Sequence, residues 1–399
     1  MREPNRSVLS PAGGVTERLP RIPIDATFRT RGFLPKDDPL TGFPSNSRFT
    51  VLDEIGRDLP SLLHDRKFRS YARTLKIPLW PEDRTGFEDM PGLKLYYVRV
   101  GFLASAYVNQ VGEEPATILP ANLAVPLCRA CKLLKRPPIL SYDGYALYNW
   151  KRFRKGAPIA LGNIDTIQNF VHLYDEHWFI LVHIEIEALA ARILDAIASV
   201  QVAQSTGDAA LINDALWTIA ACIDDQINVL RRIPEKMDPA LYYKTFRPYI
   251  RFFDNVVYET EEQSTIASRT SDPSATVRMN FRGETGAQSS IMPTLVAFMK
   301  VPHKPSMLTN HLADMRNYMP PEHRQLIEAV EAMPSFRGLA DKQPYNAVLE
   351  AMAGFRAVHY GWAQEYINRR TDDPRGTGGT PYMQWLDQLI EETRAFKIV

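Results

Sequence analysis

Two histidines stand where histidine is chemically out of place. Around "LEAMAGFRAVHYGWAQEY" (349–366), alternating steps of four and three put Val348, Met352, Phe355, His359, Trp362 and Tyr366 on one helical stripe. Five of the six are apolar or aromatic. An imidazole on such a face has two ring nitrogens to satisfy, and leaving one bare costs about 1–3 kcal/mol. Either a backbone carbonyl takes the ring, as in a core histidine, or a metal or haem iron takes one nitrogen from an apolar slot. Arg356, three residues earlier, lies near the same face and is within reach of a haem propionate. In "EHWFILVHIEIEALAARIL", Phe179, His183, Ile186 and Ala190 repeat the pattern. His183 and Glu187 are also spaced for a non-haem metal, but no third ligand follows at helical spacing.

The elements that must hold these residues are mostly helices. Helical periodicity runs through roughly 51–75, 98–112, 121–135, 139–152, 175–204, 208–233 and 239–254. It resumes at 286–300, 306–318, 321–332, 344–369 and 381–396. Alternating β patterns are few and short, so the class is predominantly α. Residues 1 to about 50 read as an extended arm, with "MREPNRSVLSPAGG" disordered, and "FRKGAPIALGN" (153–163) reads as a domain connection. The expected domains are therefore 1–160 and 161–399. "FRGETGAQSS" (281–290) and "RGTGGTPYMQWL" (375–386) interrupt the helices. Neither carries the GK[ST] of a phosphate loop, and neither follows a strand as a dinucleotide fingerprint does. They read as turns before helices, or as places where backbone approaches a ligand closely.

Composition narrows the function class. The 47 basic and 46 acidic residues nearly cancel, which leaves no field for nucleic acid or anionic lipid. Cys128, Cys131 and Cys222 are too few for a disulfide framework and suit a reducing cytoplasm. The lone CxxC lacks the second ligand pair of a zinc site. The apolar stretch 178–203 contains His183, Glu185, Glu187, Arg192 and Asp195, and so reads as a core helix and not a membrane span.

Five stretches, taken in order, resemble the indoleamine 2,3-dioxygenase family, the haem enzymes that open the indole ring of tryptophan. They are "PANLAVPLCRACKLLKRPPILSYDGYALYNW" (120–150), "FRGETGAQSS", "MRNYMPPEHRQLIEAVEAMPSFR" (315–337), "FRAVHYGWAQEYI" (355–367) and "GTGGTPYMQWL" (376–386). The similarity extends from about residue 35 to the C-terminus. It implies a small N-terminal mixed α/β domain capping a large all-helical domain, with one haem b in the large domain against the interface.

The resemblance also implies roles. His359 matches the proximal ligand to haem iron, and Arg356 an arginine near the same haem face. Tyr142 and Tyr145 occupy pocket positions from the small domain, Phe179 packs on the indole, and Tyr242 falls where another aromatic lies. Arg247 matches the arginine that pairs with the substrate carboxylate. Thr285 and Gly286 match the loop over the distal haem face, and Thr377 the segment that closes over the amino-acid end. His183 stands where vertebrate members have serine. The related tryptophan 2,3-dioxygenases have a histidine in that region that bonds the indole N–H, a part His183 could take as acceptor and catalytic-site residue. Val296 stands where many members have aspartate, which alters hydrogen bonding on the proximal side.

The implied reaction is insertion of dioxygen across the indole C2–C3 bond of L-tryptophan, giving N-formyl-L-kynurenine, the first step of tryptophan breakdown toward kynurenine. The expected protein is a cytoplasmic monomer. The alternatives are a family member tuned to a substituted indole or working as a monooxygenase, and a haem sensor without turnover.

Overall fold

The computed structural model describes residues 22–82, 89–260, 277–370, 377 and 383–399. The opening stretch read as disordered and most of GTGGT lie outside them.

Thirteen α-helical segments occur among the described residues. The first five are α1 (Ala26–Arg31), α2 (Thr50–His64), α3 (Phe68–Ala72), α4 (Met90–Val108) and α5 (Ala121–Leu133). Next come α6 (Tyr174–Thr206), α7 (Ala209–Leu230) and the single turn α8 (Pro239–Leu241). The last five are α9 (Ile291–Met299), α10 (Met307–Met315), α11 (Pro321–Ala332), α12 (Lys342–Tyr366) and α13 (Met383–Ala395). The predominantly α class read from periodicity is the class observed.

The long helix α6 carries Asp175 and Glu176 in its first turn, against the positive end of its dipole. It stops at Gly207, whose φ of 70° is the left-handed conformation glycine adopts freely. Its buried residues include Trp178, Ile180, Leu181, Val182, Ile184, Ile186 and Glu187, more than one face of the helix, so α6 is enclosed on most sides. It packs on α7, and α7 packs on α12. Leu194, Ile197, Leu216, Ile219 and Ile223 are fully buried in this core. Each such side chain contributes about 2 kcal/mol relative to exposure.

A second core gathers α2, α4 and α5 with Tyr142–Trp150. Two small sheets flank it. In the first, β1 (Ile118–Leu119) lies parallel to β4 (Phe253–Tyr258), which runs antiparallel to β5 (Arg278–Phe281). The second is the hairpin of β2 (Trp150–Arg152) and β3 (Ile164–Thr166). The boundary expected near residue 160 falls inside that hairpin. Phe253, Val256 and Tyr258 belong to the core built from the first half of the chain, so the later half completes it. Phe179 packs against both cores.

Two expected helices are not regular helices. Residues 139–152 form one π-helical turn, Asp143–Leu147, and then β2. Gly144 lets Tyr97 press against that turn, because a Cβ there would lie 2.6 Å from the Tyr97 ring. Residues 239–254 become α8, a π turn (Tyr242–Phe246), a 3₁₀ turn (Arg247–Ile250) and the start of β4. Pro248 has no N–H to continue a helical ladder. The helix read at 51–75 breaks into α2 and α3, with Arg66 at φ 57° between them.

Candidate functional site

The stripe on α12 is buried at its ends and open in its middle. Val348, Met352 and Tyr366 are buried and Phe355 and Trp362 half-buried, whereas His359 has an exposed ring. The expectation of a histidine on a buried face is corrected here. His359 is surrounded by protein yet accessible in area. That enclosure pushes its pKa down to about 4, and His183, facing it from α6, lowers it further. No hydrogen bond among the described residues enters that balance. At neutral pH the ring is therefore uncharged.

His183 is held differently. Its Nδ1 lies 2.7 Å from the Phe179 carbonyl, so Nδ1–H donates there and Nε2 is left as an acceptor. Burial pushes its pKa down as well, which keeps the ring neutral. A Cβ at Gly286 would sit 3.9 Å from that Nε2, so the glycine-rich loop runs directly over it.

The aromatic residues predicted for the pocket come together around His183. Phe179 lies 4.6 Å from the His183 ring centroid, 5.5 Å from Tyr242 and 6.3 Å from Tyr145. Tyr142 meets His183 edge-on at 5.9 Å. Two π turns position these rings. Tyr142 precedes one turn and Tyr145 lies within it, while Tyr242 opens the other. Such turns swing side chains out of helical register and recur at functional sites.

The loop 283–289 is fastened at several points. The Gln288 side chain accepts from the Tyr142 amide at 2.8 Å and donates to the Gly283 carbonyl at 3.0 Å. Thr285 accepts from the Ala287 amide and caps the turn Gly286–Gln288. Ser289 Oγ donates to Glu187 Oε1 at 2.6 Å, and the Tyr142 hydroxyl donates to the same oxygen at 2.9 Å.

Arg247 is buried, with its guanidinium 5.1 Å from the Tyr243 ring centroid. Burial pushes the neighbouring Tyr242 hydroxyl up to about 12, and Arg247 beside it pulls the other way. Thr377 is buried, and its carbonyl accepts from the Phe252 amide at 2.9 Å, which ties it to the segment following Arg247.

A sequence model of the indoleamine 2,3-dioxygenases matches residues 26–396. The chain belongs to the indoleamine 2,3-dioxygenase family. It is 28% identical to rat "Indoleamine 2,3-dioxygenase 1", over 97% of this chain and 98% of the relative. It is 30% identical to "Indoleamine 2,3-dioxygenase" of Saccharomyces cerevisiae, with 91% of each covered. A third relative, "6-hydroxytryptophan 2,3-dioxygenase fscD" of Fusarium equiseti, is 24% identical over 90% of this chain and 93% of its own length. The indoleamine 2,3-dioxygenases are oxidoreductases, and the resemblance read from the five motifs is a true membership.

Within this family member the donor set has one notable property. Among the described residues no trio of His, Cys, Asp and Glu is placed to hold a bare metal ion. His359, accessible in area and without a hydrogen bond from the described residues, is the side chain that would hold the iron of a haem. A surface groove of about 560 Å³ between α7 and α12, lined by Trp217, Asp224, Arg231 and Glu350, contains neither histidine.

Arg356 is buried, and its terminal nitrogens face α13. One donates to Leu389 O at 3.1 Å and to Thr393 Oγ1 at 2.5 Å, and the other lies 3.3 Å from His303 Nε2. His303 in turn pairs with Glu392 at 2.8 Å. Val296 lies half-buried on α9 against the helical core.

Three acidic groups stand at the site, of which the sequence reading weighed only Glu187, as a metal partner of His183. Glu187 is buried, and burial pushes it up to about 7 against the pull of Ser289 and Tyr142. Glu176 is raised to about 8 by burial, although the amides of Phe170 and Val171 and the Tyr145 hydroxyl all bond to it. Glu284, in the glycine-rich loop, is 2% exposed and also raised to about 8. For Glu187 a signal existed, since it shares the apolar face with His183 four residues earlier. Glu284 had none, because a glutamate between glycines reads as solvated.

Proposed function

We propose that this chain carries one haem b on His359 and opens the indole ring of L-tryptophan, or of a ring-substituted L-tryptophan, as a dioxygenase. Both oxygen atoms enter across C2–C3, and the product is N-formyl-L-kynurenine or its substituted form. The observation that carries this reading is the aromatic box of Tyr142 and Phe179 around His183, whose Nε2 is left as an acceptor, with His359 of α12 accessible in area and without a hydrogen bond from the described residues. Haem, when bound, supplies the dioxygen-activating redox chemistry.

The protein contributes orientation. Arg247, a planar fork matched to a carboxylate, takes the amino-acid end, and Thr377 lies on the segment beside it. Tyr142, Tyr145, Phe179 and Tyr242 hold the indole by its faces and edges. His183 Nε2 accepts the indole N–H, which fixes C2 and C3 toward the cleft. Thr285 and Gly286 form the wall above, with glycine allowing backbone to approach closely. No side-chain nucleophile is required.

The name of the Fusarium equiseti relative supports keeping a substituted indole within the substrate class. Among the described residues no helix is long and apolar enough to cross a membrane. Cys128, Cys131 and Cys222 are free thiols, so we place the activity in a reducing cytoplasm. The test is optical. Haem is supplied to the purified chain, the Soret band is recorded after reduction, and L-tryptophan and air are added while N-formylkynurenine absorbance is followed. A histidine-type spectrum that His359→Ala abolishes, together with product, is expected. Unchanged haem uptake by the alanine variant refutes the ligand assignment, and haem without product from any indole amino acid refutes the reaction.

A further inference from the structure

Arg356 is gripped from outside its own helix. Both hydrogens of one terminal nitrogen go to α13, to Leu389 O at 3.1 Å and to Thr393 Oγ1 at 2.5 Å. The Thr393 hydroxyl itself donates to Leu389 O at 2.7 Å, which turns its lone pairs to the guanidinium. The other terminal nitrogen lies 3.3 Å from His303 Nε2. A guanidinium only donates, so Nε2 is the acceptor and the ring proton sits on Nδ1. Nδ1–H in turn donates to Glu392 Oε2 at 2.8 Å. Cation, neutral imidazole and carboxylate thus form one directed chain across α12, the segment between α9 and α10, and α13.

Each member of the chain is fixed in turn. Pro302 and Pro305 flank His303, and each locks a φ and removes an N–H, so the segment presenting the ring is stiff. Glu392 also accepts from the Gln388 side chain at 2.7 Å and from the Lys304 amide at 3.3 Å. The His303 and Glu392 side chains are 11% and 13% exposed, and Thr393 is fully buried. Hydrogen bonds to charged groups are stronger in such surroundings than in water. Burial, with Arg356 beside the ring, holds the His303 pKa down and keeps Nε2 free of a proton. The reaction scheme above gives His303 and Glu392 no part. Their route to it is Arg356, which stands three residues, less than one turn, before His359 on α12.

We propose that His303, backed by Glu392, is a positioning residue: through Arg356 it fixes the turn of α12 that carries His359, and so the orientation of that imidazole toward haem iron. This inference rests on the assignment of haem to His359.

The experiment loads the full chain with haem and records two quantities. These are the rate of haem loss to an excess of apomyoglobin and the iron–histidine stretching band of the reduced protein by resonance Raman. Removing the partners that orient a ligating histidine costs roughly tenfold to hundredfold in affinity, so about tenfold is expected one residue further out. His303→Phe keeps a ring of similar size and removes both acceptor and donor. Haem loss becomes about tenfold faster and the stretching band shifts or broadens. His303→Gln offers an amide oxygen to Arg356 and an amide N–H to Glu392, and returns both readouts most of the way to the parent. In an Arg356→Met background His303→Phe has no further effect, because its influence passes through the guanidinium. If His303→Phe does not fold, Glu392→Met frees the ring from its other side, and the same outcomes decide. Unchanged haem loss and stretching band, with or without a lowered melting temperature of the haem-free chain, overturn the inference. So does an effect that persists in the Arg356→Met background. Both results leave the haem assignment standing. A parent chain that takes up no haem, or takes it up equally after His359→Ala, overturns that assignment and this inference with it.

Discussion

Replacing Gly283 by alanine tests whether the loop over His183 is held by backbone packing. A Cβ at this position would stand 2.4 Å from Arg251 C and Ile250 O and 2.5 Å from Phe252 N. These are backbone atoms, so no rotamer change relieves the overlap, and ordinary contact requires a separation larger by about 1 Å. Overpacking of this kind costs about 1–3 kcal/mol. The displacement passes to Glu284, Thr285 and Gly286 on one side. On the other it reaches Phe252, whose amide bonds Thr377. Misplacing a substrate-positioning group by about 1 Å costs on the order of a hundredfold in rate. Urea unfolding and kcat/KM for the preferred indole amino acid are the assays, with Gly156→Ala as control. Nothing lies within 4 Å of a Cβ at Gly156, and its φ is not positive. The control stays within about 0.5 kcal/mol of the parent. If Gly283→Ala matches the control in both assays, the wedge does not hold the loop.

Two further outcomes follow from the charges at the site. Arg247→Lys exchanges a planar fork for a point charge, so the dissociation constant for the amino acid rises about tenfold to hundredfold, while an indole lacking the carboxylate is unaffected; calorimetry with both ligands checks this. Glu187 keeps its proton to about pH 7 in the folded chain and loses it near 4.5 when unfolded. The stability it contributes is present below pH 4.5 and is lost as pH rises to about 7, a change of about 3 kcal/mol at about 1.4 kcal/mol per pH unit. Glu187→Gln lacks that loss, so urea unfolding at pH 5 and pH 8 shows the difference between variant and parent moving in the variant's favour, and parallel behaviour refutes the shift.

Much of this molecule is local and therefore legible in one dimension. The runs at 175–204 and 344–369 repeat apolar residues at helical spacing, and α6 and α12 follow them closely because the period sets which face each helix buries. His183 and His359 were visible as imidazoles on apolar stripes for the same reason. The motifs from 120 to 386 carried the family, since they are short, ordered and specific. Other features depended on atoms distant in sequence. Periodicity placed His359 on a buried face, but whether that face is filled depends on how α6 and α12 stand to one another, and there the stripe opens. The segments at 139–152 and 239–254 have helical patterns, yet Tyr97 pressing on Gly144 and the missing amide of Pro248 turn them into π and 3₁₀ turns. Glu284 is the clearest case. Sequence by itself determined a charged residue among glycines, which elsewhere would be solvated. Its burial was decided by Gly283 wedging against residues 250–252, a contact across thirty residues that no local pattern encodes.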